Sequence, residues 1–176
     1  MCQLIQRASL FSRAAHQAIG QRRKYTGEPY WHHPAAVAAL VQAAPSATEE
    51  MVAAAYLHDV VEDTEVTHDD IAREFGAVVA AHVVDLTDRF TDPGLGNRAH
   101  RKALERGRLA SIAAGSQTIK YADLIDNTGS ITRHDPGFAR IYMAEKAELL
   151  AVMRDGDAAL LERATSFVNC FIFRDG

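Results

Sequence analysis

Apolar residues in this chain recur at three- and four-residue steps and nowhere alternate convincingly, so the sequence is written for helices and not for sheets. Leu4, Ile5, Ala8, Phe11, Ala15 and Ile19 lay out one apolar stripe and predict a first helix ending near Gly20. The segment from Gln21 to His33 is irregular, and Pro34 then suits the first helical position of a second helix reaching about Ala44. Thr48, with Glu49 and Glu50 after it, predicts the cap of a third helix that runs through Leu57 to about Val61 or beyond. Further helices are expected over Asp69 to Phe75, Ala77 to Phe90, Arg98 to Ala114, Ser116 to Asp126, Pro136 to Arg154 and Asp157 to about Phe171. Asp92, Pro93, Gly94 and Gly96 mark a loop over Thr91 to Asn97, a candidate flap. The fold class expected is all-α, one compact helical bundle over residues 1–176, with no sheet to carry a phosphate-binding loop.

Composition narrows the function. A chain of 176 residues with 48% hydrophobic and 24% charged residues buries roughly 70% of its unfolded surface, so it needs no disulfide or structural metal to stay folded. Any metal it binds should therefore serve function. No run approaches the ~18 consecutive apolar residues of a membrane helix, so no membrane partner is expected. A net charge of −4 argues against polymeric nucleic acid and leaves room for a small anionic ligand. Cys2 and Cys170 cannot form a disulfide framework, which fits a reducing compartment, and the cytoplasm is the expected location. Arg7, Ser9, Ser12 and Arg13 have a transit-peptide flavour, but the same helical pattern runs into the site residues from Gly20 onward. A homo-oligomer is compatible with these numbers.

The residues that carry chemistry begin at Leu57-His58-Asp59-Val60-Val61-Glu62-Asp63. On one continuous helix, Glu62 stacks on His58 and Asp63 on Asp59, each pair offset by about 5–6 Å along the axis. One turn can then hold a metal while the next moves protons. Adjacent His58 and Asp59 reach one ion only if other elements complete the set, and His32-His33 and Asp123 are the candidates. Two imidazoles and two carboxylates suit Mn²⁺, Fe²⁺ or Zn²⁺. Each residue also has an ordinary reading: Glu62 and Asp63 as a solvated helix end, Asp123 as a partner of Lys120, His32 and His33 as surface histidines. Their coincidence argues for a site, because His58-Asp59 directly follows the apolar run Met51 to Leu57, where an unpaired charge is expensive.

In this set of motifs the chain is similar to the HD-domain hydrolases, and within them to the hydrolase domain of RelA/SpoT homologues and the small alarmone hydrolases. The likeness rests on Gly20-Gln21-Arg22-Arg23-Lys24, Gly27-Glu28-Pro29-Tyr30-Trp31-His32-His33-Pro34, Leu57 to Thr64, Phe75-Gly76, and Lys120-Tyr121-Ala122-Asp123 with Asn127, in family order over about residues 14 to 150. It implies an HD-domain bundle in which His33, His58, Asp59 and Asp123 hold the metal, usually Mn²⁺ in that family. Glu62 and Asp63 correspond to the pair that positions and deprotonates water. Arg23 and Lys24, with Lys120, Asn127 and Ser130, correspond to substrate contacts, and Tyr142 more weakly to an aromatic lining the nucleoside pocket. The activity implied is removal of the 3′-pyrophosphate of (p)ppGpp to give GDP or GTP, with degradation and not synthesis of alarmone. Hydrolysis of another nucleotide such as (p)ppApp or NADPH is an alternative, and a non-catalytic alarmone sensor is a third, against which intact Glu62 and Asp63 weigh.

The chain also departs from the family. Where relatives read Ala-Asp-Arg-Leu-His-Asn-Met-Arg-Thr, this sequence has Ala122-Asp123-Leu124-Ile125-Asp126-Asn127-Thr128-Gly129-Ser130, so two basic positions are lost and an acid replaces a histidine at Asp126. His16 falls two residues out of register with the family histidine and is read as a helix-surface residue. A basic cluster after the glycine loop, including Arg98, Arg101 and Lys102, is the expected replacement, closing over an anionic ligand.

Overall fold

A computed structural model describes residues 2–174, which form ten α-helices and one 3₁₀ turn. In order these are α1 (Gln3–Ala18), α2 (His32–Gln42), α3 (Glu49–Leu57), α4 (Val60–Asp63), α5 (His68–Phe75), α6 (Ala77–Leu86), the 3₁₀ turn (Pro93–Leu95), α7 (Arg98–Leu109), α8 (Ala114–His134), α9 (Pro136–Val152) and α10 (Ala158–Arg174). Among the described residues there is no strand, only an isolated antiparallel bridge between Arg22 and Pro29. The all-α expectation is met.

The centre of the bundle is α3. Met51, Val52, Ala53, Ala54, Ala55 and Leu57 are all buried, leaving almost no polar face, as a helix surrounded by neighbours requires. Helices α1, α2, α6 and α8 pack around it, and its alanines let them come close. Thr48 caps it as expected, its hydroxyl accepting the Met51 N–H at 3.2 Å.

Several boundaries differ from expectation. Helix α2 starts at His32, so Pro34 is its third residue and not its first. The missing N–H costs nothing there, because first-turn N–H groups have no intrahelical acceptor. The helix expected to run on to Val61 is interrupted at His58 and Asp59. Asp59 sits at φ −100 and ψ −6, in the sparsely allowed bridge region, and α4 restarts after it. Helix α6 stops at Leu86, well before Phe90, where Thr87 turns extended and Arg108 takes the carbonyls of Asp85 and Thr87. Helix α7 ends at Leu109 and not Ala114.

The largest difference is α8, which runs unbroken from Ala114 to His134, far beyond Asp126. Gly129 lies on an open face with nothing near its Cα hydrogens, so it costs roughly 1 kcal/mol of helix propensity without ending the helix. Two glycines do set the path of the chain. Gly76, at φ 88, turns α5 into α6. Gly156 brings the α9–α10 connection so close to α8 that a Cβ would lie 2.6 Å from the Tyr121 ring and 2.8 Å from the Thr118 nitrogen.

Candidate metal centre and its surroundings

Three elements bring the sequence-distant candidates together: the first turn of α2, the break between α3 and α4, and the middle of α8. Ligand atoms of His33, His58 and Asp59 all lie within 4.8 Å of one another. Asp123 Oδ1 closes the cluster, 3.3 Å from His33 Nε2 and 3.9 Å from His58 Nε2. Asp59 Oδ2 lies 3.5 Å from His33 Nε2 and 3.1 Å from His58 Nε2, and accepts the Tyr30 hydroxyl at 2.6 Å. His58 Nδ1 is 2.8 Å from the Ala55 carbonyl, so it carries the hydrogen and leaves the Nε2 lone pair facing the cluster. That buried Nε2 has no hydrogen-bond partner, because the nearby Asp59 oxygen is badly aligned. An imidazole lone pair aimed among carboxylates with nothing to bond is what a divalent ion resolves, and two imidazoles with two carboxylates suit Mn²⁺, Fe²⁺ or Zn²⁺ alike.

Charge in the cluster is tightly coupled. Burial works against protonated His33, but hydrogen bonds to Asp123 and Asp126 outweigh it and push the imidazole up to about 9. His58 is also raised, Asp59 winning over burial. Burial would raise the Asp59 carboxyl too, yet the His58 and His33 imidazoles hold it well below the usual range. Asp123 is likewise held low, with Lys120 the largest opposing influence to burial. An ion held here would take the place of any proton on the imidazole nitrogens that face the cluster, so its uptake would be coupled to proton release.

A second layer surrounds the cluster. Lys120 Nζ lies 2.9 Å from Asp123 Oδ2, so Asp123 has its ordinary partner on one oxygen while the other, Oδ1, faces the imidazoles. Asn127 Nδ2 donates to Asp123 Oδ1 at 2.6 Å. Asp126 Oδ2 lies 2.6 Å from His33 Nδ1. His16, expected on the surface, is buried: its Nδ1 is 2.6 Å from Gln21 Oε1 and its ring lies 4.9 Å from that of Tyr30. The correction has a simple cause, since the irregular segment folds back over α1 and carries Gln21 and Tyr30 onto the His16 face. Gln21 Nε2 in turn donates to Asp63 at 3.0 Å.

Glu62 and Asp63 flank the cluster on α4. The Asp88 N–H donates to Glu62 Oε1. Glu62 keeps an edge open to solvent, but the protein packed around its carboxyl group holds bulk water off and pushes it up to about 7, the Asp88 hydrogen bond and Lys120 opposing only in part. Burial raises the Asp63 carboxyl as well. Beyond Asp88 opens a cavity of about 510 Å³ where the basic Lys102, Arg106, Lys120, Arg140 and Lys146 alternate with the acidic Asp88, Glu105, Glu145 and Glu148, with Leu109, Ile141 and Leu149 as apolar walls. Burial, then Lys120 and Lys102, push the Lys146 ammonium down to about 8. A second opening of about 370 Å³ lies on the far side of His33, lined by Arg23, His32, Asp126, Ser130, Arg133 and His134.

The remaining candidates scatter. Ser130 lines the second opening, and Tyr142 is buried beneath Lys146, whose Nζ is 4.8 Å from its ring centre. Arg23 is bonded to Asp126 and Asn127. Lys24 is exposed against the Tyr25 ring, away from the ligand atoms. Arg98 is held by both oxygens of Glu145 at 2.8 and 2.9 Å and lies 5.3 Å from the Phe138 ring centre. Arg101 bonds the Gly96 carbonyl, and Lys102, paired to Asp88 at 3.0 Å, reaches the large cavity together with Arg106 of the same helix. Lys146, Arg140 and Asp88 were not among the sequence candidates. Lys146 had a signal, falling four residues after Tyr142 and so on its face of α9.

Comparison with known proteins gives a consistent result. The HD domain family profile matches residues 8–112. The mouse guanosine-3′,5′-bis(diphosphate) 3′-pyrophosphohydrolase MESH1 is 37% identical over 125 residues, covering 70% of this chain and 68% of its own. The human MESH1 is 36% identical over 136 residues, covering 76% and 72%. Among solved structures, a metazoan ortholog of SpoT, described as hydrolysing ppGpp, superposes over 100% of this chain and 97% of its own with a TM-score of 0.83 at 24% identity, a likeness of fold. A Listeria monocytogenes EGD-e protein matches 86% of this chain and 99% of its own with a TM-score of 0.66 at 28% identity.

Proposed function

The chain belongs to the HD domain family, and from that premise we propose that residues 1–176 act as one metal-dependent hydrolase unit that removes the 3′-pyrophosphate of (p)ppGpp. The observation that carries the reading is the convergence of His33, His58, Asp59 and Asp123 near a cavity of about 510 Å³ in which Lys102, Lys120 and Lys146 stand among acidic neighbours, a volume suited to a nucleotide. These four residues would hold the ion, with Mn²⁺ the ion we favour. When bound, it supplies a water of lowered pKa and polarises a phosphoryl oxygen.

The chain's own residues do the rest. Glu62, with a carboxyl raised to about 7, is poised to take a proton from water near neutral pH. Asp63, held by Gln21, orients that water. Lys102, Lys120 and Lys146 neutralise phosphate oxygens crowded into the cavity, and Leu109, Ile141 and Leu149 receive the apolar face of a nucleoside. Water oxygen bonds to the phosphorus nearest the ribose as Glu62 takes its proton, the bond to the 3′ oxygen breaks, and that oxygen takes up the proton from Glu62 to become the hydroxyl while pyrophosphate departs. No helix of the described residues is long and apolar enough to cross a membrane. Cys2 and Cys170, both free thiols, suit a reducing compartment, and we propose the cytoplasm.

The test is turnover. Mn²⁺-loaded protein incubated separately with ppGpp, ppApp and NADPH should release pyrophosphate from ppGpp, and chelator should stop it. His58→Ala and Asp59→Ala should lose both metal and turnover. Nucleotide binding without any turnover in Mn²⁺ would favour a sensor and overturn the hydrolase reading.

A further inference from the structure

A metal-ligating imidazole must present one nitrogen to the ion, and what its other nitrogen bonds decides the tautomer, the ring orientation and the basicity. The two imidazoles here are supported unequally. His58 Nδ1 meets a neutral peptide carbonyl, that of Ala55 at 2.8 Å. His33 Nδ1 meets a carboxylate, Asp126 Oδ2 at 2.6 Å. That carboxylate is itself held, since Arg23 Nη2 lies 3.2 Å from the same oxygen. The other arm of the guanidinium, Nη1, donates to Asn127 Oδ1 at 3.0 Å, and Asn127 Nδ2 donates to Asp123 Oδ1 at 2.6 Å. One guanidinium therefore braces the outer partners of two ligands, His33 and Asp123, from a segment far away in sequence. Its own position is fixed by the backbone, where Arg23 N–H donates to Glu28 O at 2.8 Å and Gly27 N–H to Arg23 O at 3.0 Å.

We propose that Asp126 is the outer-layer carboxylate that orients His33 for metal, and that Arg23 is a positioning residue which acts on the ion through Asp126 and Asn127. The inference rests on the reading of His33 and Asp123 as ligands and extends it to residues that reading leaves as substrate contacts or unassigned. It also gives a role to the acid at Asp126. With Nδ1–H directed at a fixed anion, the His33 ring is locked with Nε2 toward Asp59 and Asp123, and its lone pair is enriched. Arg23 keeps Asp126 from repelling the nearby Asp123 carboxylate and holds Asn127 in the rotamer that reaches Asp123.

The experiment is a Mn²⁺ titration without substrate, read from the electron paramagnetic resonance signal of free Mn²⁺, on wild-type protein and on Asp126→Ala, Asp126→Asn and Arg23→Ala. Thermal melting of the metal-free proteins establishes that each is folded. Asp126→Ala should bind Mn²⁺ about 10- to 100-fold more weakly. Asp126→Asn keeps an acceptor oxygen for Nδ1–H but loses the charge, and should fall between wild type and Asp126→Ala. Arg23→Ala should weaken Mn²⁺ binding several-fold on its own. Folded Asp126→Ala with wild-type Mn²⁺ affinity would overturn the proposal, and if Asp126→Ala does not fold, wild-type affinity in Asp126→Asn would do the same. Unchanged Mn²⁺ affinity in Arg23→Ala, with only KM raised, would return Arg23 to substrate contact alone. Wild-type protein that binds Mn²⁺ but turns over no nucleotide would undo the hydrolase reading while leaving this one standing.

Discussion

Lys120 and Asp123 occupy one turn of α8, and the ammonium lies 2.9 Å from Oδ2 of the carboxylate whose other oxygen faces His33 at 3.3 Å. Lys120 thus stands between the candidate metal ligands and the large cavity, which it also lines. Replacing it by methionine removes a cation from the cavity and frees Asp123 for the ion. KM for ppGpp in Lys120→Met should rise about 10- to 100-fold, the scale of a charged hydrogen bond, while Mn²⁺ binds somewhat more tightly. A loss of Mn²⁺ affinity with unchanged KM would contradict both halves.

Glu62 accepts a backbone hydrogen bond from Asp88 and is not among the ligand atoms that converge on the cluster. Glu62→Gln should therefore keep wild-type Mn²⁺ affinity and lower kcat by about 10²- to 10⁴-fold. Equal activity in the metal-loaded variant would remove Glu62 from proton transfer.

The pH profile follows from two displaced groups. Glu62 must be ionised to accept a proton, and its carboxyl is pushed up to about 7, so kcat/KM should fall on the acid side below that value. Lys146 must be protonated to hold phosphate, and burial with its lysine neighbours pushes it down to about 8, so an alkaline limb should begin there. The result is a narrow bell, and Lys146→Met should lose the alkaline limb. Stability has the opposite sign to the usual carboxylate case. The folded protein raises Glu62 above its ordinary 4.5, so ionising it disfavours the fold, and its contribution is lost as pH climbs from about 4.5 to about 7. The melting temperature of Glu62→Gln relative to wild type should climb over that window.

Gly156 tests the packing that positions α8. A methyl group there meets the Thr118 backbone nitrogen at 2.8 Å, which cannot rotate away. Gly156→Ala should cost about 1–3 kcal/mol of stability, at roughly 2–4 °C of Tm for each, measured by differential scanning calorimetry.

The candidate ligands could be picked out in sequence because each lies in a compact motif: His58-Asp59 after an apolar run, Asp123 in an apolar stretch, and His33, chosen over His32 by the family resemblance, before a proline. What supports them could not, because the supporting contacts join residues far apart in sequence. Arg23 meets Asp126 and Asn127 across about a hundred residues, and nothing local in either stretch marks the pairing. His16 looked like a surface residue because the segment that buries it has no periodicity to reveal where it folds. The break at His58-Asp59 was hidden because neither residue is a helix breaker by type: His58 keeps helical dihedrals, and only Asp59 departs into the bridge region. Helix α8 outruns its expected end at Asp126 because tertiary packing holds the helix through Gly129, an exposed glycine that weakens it without breaking it.

The continuity of α8 has a consequence of its own. Lys120, Asp123, Asn127 and Ser130 follow one another at intervals of three and four along an unbroken rod, from the large cavity past the ligands to the smaller opening. The interval from Lys120 to Ser130 is set by helical rise alone at about 15 Å, with no hinge to stretch or shorten it. The rod is a fixed gauge between the two openings. Adaptation to a longer or shorter polyanion must therefore come from the surfaces facing α8, above all the segment between α6 and α7, whose length changes without shifting the gauge marks.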